Sequence, residues 1–417
     1  MASPGTGSPN ERGERRDSKP AQSPVEKPQG SPAQPRSPGQ GRSGRSGGSE
    51  LKLASGRFIL KNKLGGGSFG EIFRGVDVWR NKEVAVKLEL IKTRHPQLNY
   101  ESRVYKLLHN GSTEVIGIPE VHWAGQEGEF NAMVMDLLGP CLEDLFNYCM
   151  RKFSLKTILM LADQMMHRME FIHKKQFIHR DIKPENFVMG TGSKGHHLFL
   201  LDFGLSKKFW DARTKAHIQF KEGKALTGTA RYCSANAHRG IEVSRRDDLE
   251  SIGYLLLYFY KGSLPWQGLN APDAHAKTVK IGEKKMQTPL EELCKDAPQQ
   301  FLQFLRYSRQ LRFEDEPDYD LCRGWFREVM EQHNYDYDWN FDWVVKRELE
   351  TKPPDSESQG EYSLSSNQGF ADESTSQRLH DSAVFDVNRD GASPARTPNA
   401  NAGANDPLAR ETATPQN

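Results

Sequence analysis

Hydrophobic and polar positions along this chain keep one period for about a hundred residues and then switch to another. Alternation at Arg57-Phe58-Ile59-Leu60-Lys61 predicts a strand. It runs into Leu64-Gly65-Gly66-Gly67-Ser68-Phe69-Gly70-Glu71-Ile72, a strand continues to Val76, and Asn81-Lys82 supplies a turn before a further strand, Glu83-Val84-Ala85-Val86-Lys87-Leu88. After His95-Pro96, residues 97–109 place Leu98, Val104-Tyr105 and Leu108 at helical spacing, and Met133 to Leu138 is a short apolar strand stopped by Gly139-Pro140. From Ser154, a residue able to cap a helix, the period becomes 3.6: Leu155, Ile158-Leu159, Ala162, Met165-Met166, Met169, Ile172. The methionines on that stripe are core filler. A loop over 179–187, a strand from Leu198 to Leu201 and a long loop to about residue 245 precede Asp248 to Tyr260, a helix apolar enough to be mostly buried. Helices separated by Pro- and Gly-marked turns complete the pattern to about residue 345. This order predicts an α+β protein, a small β-rich lobe joined to a large α-helical one, without internal repeats.

Composition sets the limits of that core. Of the first 50 residues, 26 are Gly, Pro or Ser, and Val25 is the only branched or long aliphatic residue apart from Met1. Such a segment cannot bury enough apolar surface to offset chain entropy, so residues 1–56 read as disordered. Residues 346–417, rich in Ser, Asp, Asn and Gln, read the same way. That leaves 57–345 as one domain, with lobes at about 57–137 and 139–345. A net charge of +2 argues against a general nucleic-acid binder, and the basic N-terminal tail lacks aromatics. Five cysteines without a C-x-x-C give neither a disulfide framework nor a zinc pattern, which points to a reducing, intracellular compartment. The longest apolar run, Tyr254 to Tyr260, is far short of the ~20 residues that span a bilayer. Ala at position 2 and the absence of a cysteine beyond Cys322 leave no lipid anchor, so no membrane attachment is expected.

The chemistry lies in fragments that are weak singly. Gly65-x-Gly67-x-x-Gly70 sits between two strands, whereas a dinucleotide fingerprint opens a helix. The strand–turn–strand context suits a flap whose amides cover nucleotide phosphates, with Ile72 roofing the base. Lys87, on the next strand, stands where a kinase needs a cation for the α- and β-phosphates, although a lone strand Lys is ordinarily a solvated side chain. His179-Arg180-Asp181-Ile182-Lys183-Pro184-Glu185-Asn186 follows, then Asp202-Phe203-Gly204 after an apolar strand. Phosphoryl transfer needs a carboxylate near the attacking hydroxyl, oxygen ligands for Mg2+ and cations on the phosphates. Asp181 suits the first role, Asn186 and Asp202 the second, Lys87 and Lys183 the third, and Glu101 can pair with Lys87. Joint occurrence in this order predicts the bilobal protein kinase fold, with ATP and Mg2+ as cofactors.

The run Lys183-Pro184-Glu185-Asn186 resembles serine/threonine kinases. Where most kinases have Ala-Pro-Glu, this chain reads Leu226-Thr227-Gly228-Thr229-Ala230-Arg231-Tyr232-Cys233-Ser234-Ala235-Asn236, then Ser244-Arg245-Arg246-Asp247-Asp248-Leu249-Glu250-Ser251 and Gly262-Ser263-Leu264-Pro265-Trp266-Gln267-Gly268-Leu269. With Leu137-Leu138-Gly139-Pro140, these resemble the casein kinase 1 family over about 57–345. Val134-Met135-Asp136-Leu137-Leu138 and Leu159-Met160-Leu161-Ala162-Asp163-Gln164-Met165 look most like its alpha branch. The resemblance implies a non-specific serine/threonine protein kinase, active without an activating phosphorylation, on protein substrates bearing acidic or already phosphorylated motifs. It implies that Leu64, Gly65, Gly66, Gly67, Ser68, Phe69, Gly70, Ile72 and Ala85 enclose the nucleotide, with Met135 as gatekeeper, Asp136 to Leu138 as hinge and Asp144 near the ribose. It places Asp248 as the helix residue that braces the catalytic loop, Arg231 and Lys277 at one anion site, and Arg180, Lys207 and Lys224 at a second. A monomer in the cytoplasm, with the nucleus as a further address, goes with it.

Some residues depart from the family. Ala235 stands where an isoleucine usually packs, and Asn270-Ala271-Pro272-Asp273-Ala274-His275 lacks the usual lysines, which weakens the positive field around Lys277, the family's nuclear-targeting signal, or both. Cys141 replaces the usual Ser after Leu-Leu-Gly-Pro. At a helix N-terminus on the rim of the ATP site it is a candidate reactive thiol, opposed by Glu143 and Asp144. Asp355-x-x-Ser358, Ser363-x-x-Ser366, Asp372-x-x-Thr375 and Glu373-x-x-Ser376 match the acidic or primed pattern and could make the tail an internal brake. Two competing readings are a kinase fold that binds partners without catalysis and a kinase acting on small molecules or lipids. The first is weakened because Lys87, Asp181, Asn186 and Asp202 are all present, the second because the platform segment matches protein kinases.

Overall fold

The computed structural model describes residues 51–67, 70–110 and 115–351. The expected tails, apart from residues 51–56 and 346–351, lie outside the described residues, as do the tail phosphorylation motifs and loop residues Ser68 and Phe69.

The first lobe is a six-stranded antiparallel sheet with one helix. Its strands are β1 (Lys52–Leu53), β2 (Phe58–Gly67), β3 (Gly70–Asp77), β4 (Lys82–Leu90), β5 (Val121–Glu127) and β6 (Phe130–Asp136), in the order β1-β2-β3-β4-β6-β5, with helix α1 (Leu98–His109) between β4 and β5. Side chains alternate across the sheet. Val84, Val86 and Leu88 of β4 join Ala132 and Val134 of β6 in a small core with Leu53, Phe58 and Leu60. The intervening residues Ala85, Met133 and Met135 belong to the other face and to the main core, which includes Leu98, Val104, Tyr105 and Leu108 of α1. Period 2 thereby puts Lys87, between Val86 and Leu88, on the α1 face.

The second lobe starts with α2 (Leu142–Tyr148) and α3 (Leu155–Lys174), continues through the short strands β7 (Phe177–Ile178), β8 (Phe187–Met189), β9 (Leu198–Leu200), β10 (Lys207–Lys208), β11 (Trp210–Asp211) and β12 (Ala216–His217), and then through α4 (Ala235–His238), α5 (Arg245–Lys261), α6 (Ala274–Gln287), α7 (Leu290–Leu293), α8 (Gln299–Gln310), α9 (Tyr319–Gln332) and α10 (Asp342–Thr351). Ser154 Oγ accepts from Thr157 N at 3.2 Å, the expected cap of α3. The α3 methionines are fully buried in the main core, as is nearly all of α5. α5 starts at Arg245, a turn earlier than its apolar run, because Ser244 N donates to Asp247 Oδ2 at 2.7 Å; Gly262, at φ 83°, ends it. Strand β6 stops at Asp136, two residues short of the expected Leu138. Helical structure runs to Thr351, past residue 345, because Asp342 accepts from Ser154 and Lys346 Nζ donates to Tyr148 O at 2.6 Å. Among the described residues, no helix is long and apolar enough to cross a membrane.

Candidate active site

The glycine-rich turn is a hairpin. Gly65 pairs with Ile72, Gly66 with Glu71 and Gly67 with Gly70, and Ile72 in turn faces Lys87 across β3 and β4. Gly70 has φ 132°, and a Cβ there would stand 2.2 Å from Leu88 O, so only glycine lets β3 start this close to β4. Leu64 and Ile72 are exposed large apolar residues on the two arms of the hairpin. Ala85 is in register with Met135, and Lys87 with Met133. The gatekeeper candidate thus lies beside Ala85 at the end of the strand that leads to the hinge.

Lys87 joins the lobes. Its Nζ lies 2.7 Å from Glu101 Oε2 on α1 and 3.4 Å from Asp202 Oδ1 in the second lobe. Burial works against the ammonium, but Glu101 and Asp202 together carry its pKa above the ordinary lysine value. Burial pushes Glu101 up to about 7, with Lys87 opposing. The ammonium is the charge that two carboxylates secure. Burial also works to raise Asp202, yet Lys87, Lys183 and His179 outweigh it and hold the carboxylate below its usual range. Asp202 sits at φ 63°, its N–H donates to Tyr105 Oη at 3.1 Å, and the next residue, Phe203, packs edge-on against Tyr105 and His179.

The loop carrying Asp181 is braced from beneath. Asp248, on α5, accepts from His179 N at 2.8 Å and Arg180 N at 2.9 Å, and lies 2.9 Å from His173 Nε2. These bonds hold Arg180 at φ 71°, a conformation an arginine rarely adopts. Asp181 is 5 % exposed. Lys183 Nζ is 2.6 Å from its Oδ2, while Thr229 donates to Oδ1 from both N (2.9 Å) and Oγ1 (2.8 Å). Asn186 Nδ2 donates to Asp181 O at 2.8 Å, which leaves its amide oxygen as the end available to a cation. Leu201 N donates to Asn186 O at 2.8 Å, so the strand pair β8–β9 delivers Asn186 and Asp202 side by side.

That donor set fits Mg2+, which takes hard oxygen ligands and keeps most of its shell for phosphate and water. Among the described residues there is no cluster of three His, Cys, Asp or Glu that would suit a cation held by protein alone.

The remaining candidates fall into distinct places. Asp136 turns its carboxylate away from the cleft, towards Lys82 (3.0 Å), His122 (3.2 Å) and Glu120 N (3.0 Å), and beyond it Gly139 N donates to Met189 O at 2.9 Å, which ties the segment after Leu138 to β8. Asp144 is exposed at the start of α2. Cys141 donates its thiol to Asp144 Oδ2 at 3.1 Å; burial and that carboxylate push the thiol well above its ordinary value, so the thiolate expected at this helix end is disfavoured. Arg231 lies over the rings of Tyr232 and Tyr258 (5.6 and 5.8 Å), and Lys277 is exposed on α6; no contact joins the two among the described residues. Lys207 and Lys224 do come together, on the buried carboxylate of Glu242 at 2.9 and 3.4 Å, and Arg180 feels the same charge. Glu242, Thr229 and Tyr105 hold this site, and none carries a motif that singles it out.

The arrangement places a cation, two oxygen ligands and a carboxylate with a bound lysine around one cleft between the lobes, with the glycine hairpin on the strands paired to that of Lys87. A family model described as protein kinase domain matches residues 58–316, more than half of the 417.

Proposed function

The chain belongs to the protein kinase family, and we propose that it is a serine/threonine protein kinase of the casein kinase 1 type, acting on acidic or phospho-primed proteins. The single observation that carries the catalytic reading is Lys87, bonded to Glu101 and Asp202 at once, which holds a phosphate cation directly beside a candidate Mg2+ ligand.

In this reading the hydroxyl oxygen of a serine or threonine forms the new P–O bond as the bond between the γ-phosphorus and the β–γ bridging oxygen breaks, and ADP leaves. Asp181 Oδ accepts the hydroxyl proton. Its pairing with Lys183 and Thr229 fixes the carboxylate before substrate arrives, so little of the ordering entropy remains to be lost in the transition state. Lys87 would hold the α- and β-phosphates and Lys183 the γ-phosphoryl. Asn186 and Asp202 would hold Mg2+, which when bound neutralises charge building on the phosphate oxygens.

Activity without prior phosphorylation is supported by Glu242. Its carboxylate already balances Lys207 and Lys224 next to Arg180, the cluster that a phosphate would otherwise have to order. Selection of acidic or primed sequences is supported by Arg231 and Lys277, neither of which forms an ion pair at contact distance among the described residues, although Arg231 feels the charge of Glu143. Incubating the full chain with Mg2+, radiolabelled ATP and casein tests the proposal. Label on casein serine is expected; binding of ATP without transfer would favour the non-catalytic reading.

A further inference from the structure

Lys285 is fully buried on α6, while Lys277 and Lys284 of the same helix are exposed. Among the described residues no carboxylate pairs with it. Its Nζ donates instead to Cys233 O and to Ala230 O (3.0 Å), and lies 3.3 Å from His238 Nε2. The rings of Tyr254 and Trp266 stand 5.0 and 5.1 Å away. The two carbonyls take two of its three protons; His238 Nε2 also lies 3.1 Å from Ala230 O, an oxygen that only accepts, so this nitrogen is a donor there and not a third acceptor. Both carbonyls belong to the segment that also touches Asp181. Thr229 binds the carboxylate with two donors, Gly228 at φ 88° lies so close to Arg180 O that a Cβ would be 2.3 Å from it, and Trp266 Nε1 donates to Arg231 O at 2.7 Å. The carbonyls of Ala230, Arg231 and Cys233 are thus all fastened inward.

We infer that Lys285 is a positioning residue for the protein substrate: its buried ammonium fastens the Ala230 and Cys233 carbonyls so that Thr229 stays on Asp181 and Arg231 faces the incoming chain. The inference rests on the protein kinase reading. A neutral amine gives up the charge-assisted strength of both carbonyl hydrogen bonds and no longer attracts the faces of Tyr254 and Trp266, so losing the charge slackens the segment. Among the described residues, no hydrogen bond or ion pair joins Lys87, Glu101 or Asp202, the nucleotide half of the cleft, to it.

The charge is within reach of ordinary conditions. Burial lowers the Lys285 pKa to about 8; Cys233 and Glu250 oppose the shift and Arg309 adds to it. The other facing groups titrate elsewhere. Burial and Lys285 hold His238 down at about 4, while burial lifts Cys233 to about 11 and Tyr254 well above its ordinary value. The sign separates function from folding. The folded value lies below that of an unfolded lysine, so above about pH 8 the unfolded chain binds more protons and this group adds stability as pH rises. A loss of activity over the same window therefore runs against the trend this group gives to stability.

The test is the rate of the full-length protein on an unprimed acidic serine peptide at saturating Mg-ATP, from pH 6.5 to 9.5, with tryptophan fluorescence recorded in parallel. We expect kcat/KM for peptide to fall ~10-fold across an apparent midpoint near pH 8, with KM for ATP changing less than ~2-fold. Lys285→Met should sit on a lower plateau without the alkaline limb. A fluorescence step at the same midpoint should vanish in Lys285→Met and in Trp266→Phe. If Lys285→Met gives no cooperative melt, His238→Leu decides: an apolar side chain in place of the imidazole deepens the desolvation of the ammonium and should move both midpoints to lower pH by roughly half a unit or more. A flat peptide profile in an active enzyme, a limb unchanged in Lys285→Met, or unmoved midpoints in His238→Leu would overturn the inference. Failure to phosphorylate any peptide at any pH would instead overturn the kinase reading beneath it.

Discussion

The catalytic cleft and the surface that would receive a phosphorylated or acidic substrate are both built from charged side chains, in opposite ways. In the cleft every cation already has a carboxylate: Lys87 has Glu101 and Asp202, and Lys183 has Asp181. On the receiving surface Arg231 rests on two aromatic faces and Lys277 stands in solvent. The difference separates two tasks. Geometry that must be right before the reaction is secured by interlocking opposite charges, at the cost of affinity for anything else. Recognition of an anion needs cations whose charge is still available. Glu242 lies between the two styles, since it neutralises part of the Lys207 and Lys224 charge without covering it.

The sharpest break in that contrast comes from the cleft. Asp202→Asn, which removes a cation-binding charge, and Lys87→Arg, which cannot reproduce the compact ammonium geometry, should each lower kcat/KM by at least ~100-fold, about 2.7 kcal/mol of transition-state stabilisation. Steady-state rates on casein with purified, cooperatively melting variants check this. On the receiving surface the effect should be smaller and selective. Replacing Arg231 and Lys277 together by Ala should cut the preference for pSer-x-x-Ser over Ser-x-x-Ser peptides ~10-fold or more, while unprimed turnover stays within ~3-fold. An unchanged peptide ratio would remove both residues from the site.

Glu242→Gln sharpens the intermediate case. With the internal carboxylate gone, Lys207 and Lys224 keep their charge for an external anion, so inhibition by inorganic phosphate should tighten ~3-fold and become more salt-dependent. Thermal stability should drop, because the two lysines lose a buried partner. The smallest effect is expected at Cys141. Its thiol, bonded to Asp144 and raised by burial, should be alkylated by iodoacetamide at pH 7.5 at less than ~10 % of the rate of a free thiol, with or without ATP. Mass spectrometry showing fast, ATP-protected labelling would contradict the geometry.

How much of this was legible in the chain depends on where the partners lie. Strands with one buried face declared themselves: the alternation of Val84, Val86 and Leu88 placed β4 and put Lys87 on the opposite face. Strand β5 did not. It is the sheet edge, and its residues are nearly all half-buried on both faces, so His122, Gly125 and Gln126 show no alternation. In the site, groups within ordered motifs were readable, because Asp181, Asn186 and Asp202 supply the residue types phosphoryl transfer needs in the order kinase motifs carry them. Of the groups that act by holding others, Glu101 and Asp248 were readable from the motifs around them, whereas Lys285 and Glu242 were not. Lys285 sits beside Lys284 on a polar helix and has the look of a solvated pair, since its partners are backbone carbonyls 52 and 55 positions away and no side chain advertises them. Glu242 is a lone acid between two aliphatic residues, and Cys141 was legible only in part. The helix end favoured thiolate and Glu143 and Asp144 opposed it on paper; the fold adds the burial that turns the balance against it.

The account stands or falls on which hydroxyls the chain phosphorylates. The most direct measurement offers the full-length protein, Mg2+ and ATP a peptide array in which Ser, Thr and Tyr acceptors are each preceded three residues earlier by alanine, aspartate or phosphoserine, with transfer read by mass spectrometry. The predicted result is phosphate on Ser and Thr but not Tyr, strongest after phosphoserine, intermediate after aspartate and weakest after alanine. Transfer to Tyr, or equal transfer whatever the preceding residue, would contradict it.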